Sequence, residues 1–563
     1  MTSLSLRLLA VACFARLSSF ASTPSSETSQ RRVLSKLARH ALAVSLLVPI
    51  VLGVALPSLA ATFTVTDTSD NMADPNSLRY AVNHARYGDT IDFSLTYPAT
   101  ITLTSGYLEI ATNVTISGPG AAKLFISGNN ASRVFQVDST VSGPGTTLSG
   151  VTIEDGFLGV PFGNGGAGIY NAGTLTVSNS TVSGNDGEAS GINGGGIYNA
   201  GTLTVSNSTV SGNFSDNDNG GGIYNAGTLA VSNSTVSDNL ALGGGGGGIV
   251  NDGTLTVSSS TISGNTDFEY AGGGILNGGI LTVINSTFSG NASAGSAGGG
   301  GIYNSGTAVV SFSTFFDNGG TGLPGDGGAI YNDGTLTLKG TVLASSFDGN
   351  CGGGGTSDGY NLSDDDTCTF LTATGDQNDV TAGLSPSGLQ HNGGPTETIA
   401  LLPTSPAVNA IPVTPMNECT DAFGNPVKTD QRGVPRPQGP GCDIGAYELA
   451  QGQVTASPTS ISFGNVELCR TKKVVLTLYN NSTTEAQIGP ISFIDVVGNP
   501  ADFYYIRYCP TNLYPGKSCT VAVMFRPDAL TTDTATLSIV TSAPGNPIQV
   551  PITAAGSADP NCD

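Results

Sequence analysis

The middle of the chain is built on a short alternation of apolar and polar positions. In its clearest copy, Leu175 to Asn185 reads L-T-V-S-N-S-T-V-S-G-N, with Leu175 and Val177 on one side and Thr176 on the other. A period of two is that of a strand with one buried face. A bend at Asn179 follows, after which Ser180 and Val182 continue the inward side. No stretch here has the Ala, Glu, Lys and Leu content of a helical repeat. Glycine runs such as Gly243–Gly248 suit tight corners, not helices.

The unit returns at a near-constant interval. Ile169, Ile197, Ile223, Ile249, Ile275, Ile302 and Ile330 each sit in a glycine-rich G-I-Y-N-like segment, spaced 28, 26, 26, 26, 27 and 28 residues apart. Such a period marks a stacked array, in which no unit buries its apolar face alone. Each copy is predicted to be one coil of a right-handed parallel β-helix, with coils ~4.8 Å apart. Like then stacks on like. Leu175, Leu203, Leu229, Leu255 and Leu281, with Val177, Val205, Val231, Val257 and Val283, form inward aliphatic columns. Asn171, Asn199, Asn225, Asn251, Asn277, Asn304 and Asn332 would form one amide ladder at a corner. Asn185, Asn213, Asn239, Asn265, Asn291 and Asn318 would form another, because a buried amide must find partners. Tyr170, Tyr198, Tyr224, Val250, Leu276, Tyr303 and Tyr331 line up as an outward column. Its tyrosines Tyr170, Tyr198, Tyr224, Tyr303 and Tyr331 are the candidate binding surface, for a sugar, although aromatic stacking alone also accounts for them.

An open β-helix exposes strand edges at both ends, and these must be covered. Near the start, Leu78, Ala81, Val82 and Ala85 have helical spacing between two strand-like runs, which predicts a short amphipathic helix. From Val454 to Gly556 glycine thins out, and alternating runs at Ser460–Phe463, Val474–Tyr479, Ser518–Phe525 and Ala535–Val540 are separated by Gly and Pro turns. That pattern reads as an immunoglobulin-like β-sandwich. The chain is therefore expected to be all-β: a leader at 1–60, an N-terminal cap at 61–100, β-helix coils at 101–348, the C-terminal part of the β-helix with its cap at 349–450, and a sandwich at 453–558.

Charge narrows the chemistry. Among 563 residues, 20 are Lys or Arg and 42 are Asp or Glu, a net charge of −22. An acid excess argues against nucleic acid or an anionic membrane as partner, since both need a basic footprint. Between Arg133 and Lys339 there is no Lys, Arg or His. A polysaccharide lyase needs a base for the proton α to a carboxylate, and these coils offer no basic side chain. A glycoside hydrolase needs only two carboxylates. Glu154, Asp155, Asp186, Glu188, Asp216, Asp218, Asp238, Asp252, Asp267 and Glu269 supply carboxyl groups, mostly in variable loops, with no pair that persists from coil to coil.

Residues 1–60 read as an export leader: Arg31, Arg32, Lys36 and Arg39, then an apolar run from Ala41 to Leu59, then Ser58-Leu59-Ala60 as a small-residue cleavage pattern. An uncleaved membrane anchor is the rival, against which Pro49 and Pro57 argue. Cys13 falls in the leader, and the other eight cysteines all follow residue 350. An even count in an exported chain reads as disulfides. Proximity suggests Cys351–Cys368, Cys419–Cys442 and Cys509–Cys519, leaving Cys469 and Cys562. Metal binding is the alternative, weakened by the lack of a C-x-x-C pair and by only two histidines, His84 and His391, beyond the leader. No cofactor is expected. Ca²⁺ is the one candidate ion, at Ser215-Asp-Asn-Asp218 or Asp364-Asp-Asp366, neither of which matches a spaced loop motif.

Three segments resemble known families. Asn76-Ser-Leu-Arg-Tyr-Ala-Val82, followed by Gly88-Asp-Thr-Ile-Asp-Phe93, resembles the CSLREAI-type N-terminal domain found ahead of β-helices in bacterial exported proteins, with Asn76 in place of Cys and Tyr80 in place of Glu. Leu389-Gln-His-Asn-Gly-Gly-Pro-Thr396, Ser405-Pro-Ala407, Thr429-Asp-Gln-Arg-Gly-Val-Pro-Arg-Pro437 and Cys442-Asp-Ile-Gly-Ala-Tyr-Glu448 resemble the choice-of-anchor Q domain. Pro458-Thr-Ser-Ile-Ser-Phe-Gly464, Ala501-Asp-Phe503, Pro515-Gly-Lys-Ser-Cys519 and Val523-Met-Phe-Arg-Pro527 resemble the choice-of-anchor D (ASH-like) domain. These resemblances imply a secreted or cell-surface location and no particular reaction. His391 and Arg432 mark a spot where basic, acidic and amide groups meet, expected to be a hydrogen-bonded cap with Arg432 paired to a carboxylate.

The expectation is an adhesin-like or structural β-helix protein that binds a polysaccharide or an extracellular protein surface without catalysis. A polysaccharide-active lyase or hydrolase is the alternative, by analogy with the pectate-lyase-like solenoids. A third reading rests on the outward pairs Thr174/Thr176, Thr202/Thr204, Thr254/Thr256 and Thr335/Thr337, which resemble ice-binding β-solenoids. That column breaks at Ala230, Ile280 and Val309, and Thr is in any case a good strand former.

Overall fold

The computed structural model describes residues 60–159, 165–188, 193–216, 219–295, 298–320, 326–402, 404–449, 454–480, 485–541 and 547–558. Apart from Ala60, the expected leader lies outside these residues, as do Asn217, Asp218 and Cys562. The alternating runs fold into a parallel β-solenoid. Its three long sheets have 12, 11 and 10 strands, and a fourth sheet of five short strands fills one corner. The first sheet runs from Thr62–Val65 to Thr356–Ser357, the second from Ala99–Thr102 to Leu362–Ser363, and the third from Leu108–Ile110 to Cys351–Gly353.

Register is in step from coil to coil. Leu175 pairs with Leu203 and Val177 with Val205 in the first sheet, Val182 with Val210 in the second, and Ile169 with Ile197 in the third. All are buried to 1% exposure or less. Polar groups that must cross this interior do so as ladders. The Asn171 amide donates to Asn199 Oδ1 at 2.7 Å, and the same bond repeats through Asn225, Asn251, Asn277 and Asn304 to Asn332. The second ladder repeats at 2.9 Å from Asn185 to Asn318. A third, made by serine, was not foreseen from the sequence. Ser208 Oγ accepts the Ser180 N–H at 3.1 Å, and Ser234, Ser260, Ser286 and Ser313 continue the series.

The bend between the first two sheets is a single left-handed residue, with φ of 50° at Asn179, 48° at Asn207 and 49° at Asn233. Asn tolerates this region better than other non-glycine residues. Glycine is required where coils touch. A Cβ on Gly227 would lie 2.1 Å from the Gly201 carbonyl oxygen, and one on Gly253 would lie 2.0 Å from that of Gly227.

Both ends are closed. The predicted helix, α1 (Leu78–His84), is capped by Ser77, whose Oγ accepts the Tyr80 N–H at 3.2 Å. Leu78 and Ala81 plug the first coils. Arg79 grips Asp70 through two nitrogens and donates to the carbonyls of Gly106 and Tyr107. Asp70 also accepts the N–H groups of Thr104 and Ser105, so one buried ion pair ties the helix to the solenoid.

Residues 349–450, expected to finish and cap the β-helix, divide in two. Up to Gln377 they cover the end, stapled by the Cys351–Cys368 disulfide and by Tyr360 and Gln377 backbone bonds to Thr374 and Asn361. Beyond Leu384 the chain turns back along the flank of the last coils. Thr261 Oγ1 donates to the Glu397 carbonyl, Thr287 Oγ1 to Gln431 Oε1 and Asn285 Nδ2 to the Thr429 carbonyl, while Thr314 Oγ1 accepts the Ala446 N–H. Phe312, Val342, Ala344 and Leu362 form a second core with Leu401, Ala407, Ile411 and Ile444 of this return segment. The Cys419–Cys442 disulfide closes it.

The last hundred residues form a β-sandwich of a four-stranded and a five-stranded sheet around Phe463, Leu476, Leu478, Val521, Phe525, Leu537 and Ile539. The buried Cys509–Cys519 disulfide is part of this core, and Cys469 is also disulfide-bonded. Among the described residues no helix is long and apolar enough to cross a membrane.

Replacing Asn225 by Ala would leave Asn251 Oδ1 without its ladder donor and the Thr254 carbonyl without the Asn225 amide, and would take from Asn199 Nδ2 its side-chain acceptor. Each orphaned group costs about 1–3 kcal/mol. The expected loss of roughly 2–4 kcal/mol is read as a lower urea midpoint. Gly227→Ala is expected to destabilise as well, because the obstructing atom is backbone. A midpoint equal to wild type in both variants would contradict the ladder account.

Candidate binding surface

The tyrosines lie on the outer face of the third sheet. Strands Ile169–Asn171, Ile197–Asn199 and Ile223–Asn225 place an apolar residue inward, a tyrosine outward and a ladder asparagine at the corner. Because register is in step, Tyr170 pairs with Tyr198 and Tyr198 with Tyr224. Their rings stack at 5.4 and 5.3 Å between centroids, within 10° of parallel. Tyr303 and Tyr331 form a second stack at 5.5 Å. Buried Val250 and half-buried Leu276 separate the two.

The stacks have defined ends. Arg133, buried on the preceding coil, sits 5.0 Å from the Tyr170 ring centroid and donates to the Gly165 and Gly166 carbonyls and to Gln136 Oε1. Burial pulls its guanidinium down to about 10, so it remains a cation at neutral pH. Tyr224 Oη donates to Asp252 one coil on, and Tyr303 Oη donates to Asp333 at 2.8 Å. Burial, then these carboxylates, raises both phenols above the ordinary tyrosine range. Tyr303, grouped with the outward tyrosines in the sequence, is 7% exposed. Tyr270, from the loop of the preceding coil, leans over it at 6.2 Å. In the stacks, ring faces cover one another, so what reaches solvent is ring edges and hydroxyls at the coil repeat.

The loop carboxylates take individual positions. Asp155 accepts from Ser127 Oγ at 2.9 Å. Asp186 stands beside Glu188 and Asp216; burial first, then these two charges, raises its pKa. Asp267 is fully buried in the small-residue column of the fourth sheet, in register with Ala241 and Ser293. Its Oδ2 accepts the Tyr270 N–H at 3.0 Å and its Oδ1 has no hydrogen-bond partner. Burial pushes it up to about 6. Of the Ca²⁺ candidate Asp364–Asp366, the first two carboxylates bond within the chain. Asp364 accepts from Ser345 and Asn350, and Asp365 from Asn350 and Thr367. Ser215–Asp218 lies partly outside the described residues. Among the described residues no group of three or more His, Cys, Asp or Glu is placed to hold a metal ion.

At the return segment, Arg432 binds Asp430 through Nε at 2.9 Å and Nη2 at 2.7 Å and stacks 3.6 Å from the Tyr447 ring. Arg436 and Glu448 form a fully buried pair at 2.8 Å, a clamp missed in the sequence because the two are separated by two turns. Exposed His391 meets Glu397 at 3.2 Å, apart from that clamp. Arg432, Arg436, Asp430 and Glu448 thus tie the segment to itself.

No protein-family model matches this chain, and no curated protein does. Solved structures with local likeness include the secreted serine protease VesC from Vibrio cholerae, at 19% identity over 17% of this chain and 21% of that one, with a TM-score of 0.15. The ASH/PapD-like domain 7 of human CEP192 matches at 16% identity over 19% of this chain and 88% of that domain, with a TM-score of 0.16. The VesB protease of Vibrio cholerae matches at 17% identity over 18% of this chain and 32% of that one, with a TM-score of 0.15. The chain thus spans under a third of either protease.

The Asp267 site makes a pH prediction. Its folded pKa of about 6 lies above the unfolded value of about 3.9. The stability it contributes is therefore full below pH ~4 and lost as pH rises through about 6. Asp267→Ser, which copies the neighbouring coil, is expected to be more stable than wild type at pH 8 by roughly 1–2 kcal/mol, with little difference at pH 4. Urea midpoints across that range would show it; a constant difference would mean that Asp267 does not titrate there.

Proposed function

We propose that this protein is an exported, adhesin-like or structural β-solenoid that works by surface contact, with the third-sheet tyrosines as a binding face for extracellular polysaccharide. The observation that carries the reading is the Tyr170–Tyr198–Tyr224 stack, with buried Arg133 at one end and Val250 at the other. A row of phenol edges and hydroxyls at the coil repeat suits a hydroxyl-rich polymer lying along the solenoid axis. Disulfides after residue 350 are compatible with an oxidising compartment, and the CSLREAI-like and choice-of-anchor-like segments support a place at or beyond the cell surface. An acidic chain with no Lys, Arg or His between Arg133 and Lys339 offers no footprint for nucleic acid. The competing reading is a hydrolase using loop carboxylates such as Asp186 and Glu188.

A glycan panel on the exported protein, scored together for retention and for product release with and without Ca²⁺, separates the two. Retention without release is expected, and Tyr198→Ala with Tyr224→Ala is expected to weaken it at least about tenfold, a loss of ~1.4 kcal/mol. Release of new reducing ends, or of unsaturated products, would replace the binding reading with an enzymatic one.

A further inference from the structure

The first sheet carries a second regular face, remote in chemistry from the tyrosines. Its strands pair in register, so that one outward column runs from Thr62, Thr90 and Thr115 through Thr147, Thr176 and Thr204 to Thr356. Across twelve strands this column departs from threonine only at Ala230 and Val309. A second column, two residues upstream on each strand, runs from Thr174 to Thr335 and departs only at Ile280. The pairs visible in the sequence are thus a fragment of a longer array.

The face is open. Thr202, Thr228, Thr254, Thr307 and Thr335 are exposed, and their neighbours in the other column are half-exposed. Neither column contains a charge, and among the described residues none of these hydroxyls donates to a protein acceptor. The second sheet supplies the contrast. There the outward threonines Thr261, Thr287 and Thr314 are buried and hydrogen-bonded to the return segment. Outward threonine on this solenoid is therefore a docking group where the chain covers it, and the first sheet presents the same chemistry uncovered.

Rigid hydroxyls repeat at ~4.8 Å along the axis and at about 6.6 Å between the two columns. Methyl groups between them restrict how water orients, while each hydroxyl anchors one molecule. A two-dimensional array of this kind holds a water layer on a fixed lattice with spacings near those of hexagonal ice. We propose that the threonine face of the first sheet is an ice-binding surface, a site separate from the tyrosine face.

The full-length exported protein is tested for thermal hysteresis and for inhibition of ice recrystallisation. Wild type is expected to show both. Thr204→Tyr, which breaks the plane at mid-face, is expected to lose most of the hysteresis, and Thr204→Val, which keeps the shape without the hydroxyl, to lose part of it, each with an unchanged urea midpoint. Tyr198→Ala is expected to leave hysteresis intact, whatever it does to glycan retention. Folded wild type without hysteresis overturns the proposal, as does hysteresis that survives Thr204→Tyr. Adsorption to crystalline cellulose without ice activity also overturns it.

Discussion

Everything in the solenoid depends on coils stacking with identical residues opposite one another. Apolar columns give most of the burial and already disfavour a slip by one residue, but a slip by two keeps the apolar face inward. The asparagine and serine ladders disfavour both. A slip of one residue would turn the leucines and valines of every strand outward, and either slip would strand buried amides whose only side-chain acceptors are their own counterparts. Near-identical repeats are the direct expression of that constraint, because each ladder position must suit both the coil before it and the coil after it.

Fixing the interior leaves the outer faces free to differ. The first face keeps its threonines uncovered, the second becomes a bed for the return segment, and the third carries aromatic stacks interrupted by Val250 and Leu276. The same unit thus yields three surfaces of different chemistry, and the acidic loops add a variable fringe. The cations that brace the solenoid lie outside its uniform coils: Arg79 and Arg133 toward the start, Lys339 on a last coil, and Arg432 and Arg436 in the return segment.

The interior was legible in the sequence because its rule is local: a period of two within a strand and a fixed spacing between coils. Leu203, Val205 and Asn199 sit where that rule puts them. The helix around Leu78 was legible for the same reason. The return segment was not, since Thr287 and Gln431 lie 144 residues apart and no periodicity joins them. A trace of it was nonetheless present. Ile284, Phe312 and Phe316 replace residues that are Ser or Asn in earlier coils, and each packs in the second core. The burial of Tyr303 left no such trace, because the residue covering it, Tyr270, comes from a loop whose sequence differs in every coil.

The return segment also bears on how such a molecule changes over generations. Its hydrogen bonds to the second sheet begin at Ser259 and Thr261 and end in the final coils, leaving the coils around Thr181, Thr209 and Thr235 without a lateral cover. Those uncovered coils are also the most alike. Unequal recombination there would add or remove whole turns while leaving both closed ends and the lateral clasp undisturbed. Length is therefore the trait most easily altered in such a molecule, and a longer descendant would gain surface in proportion, one tyrosine and two threonine positions per inserted turn.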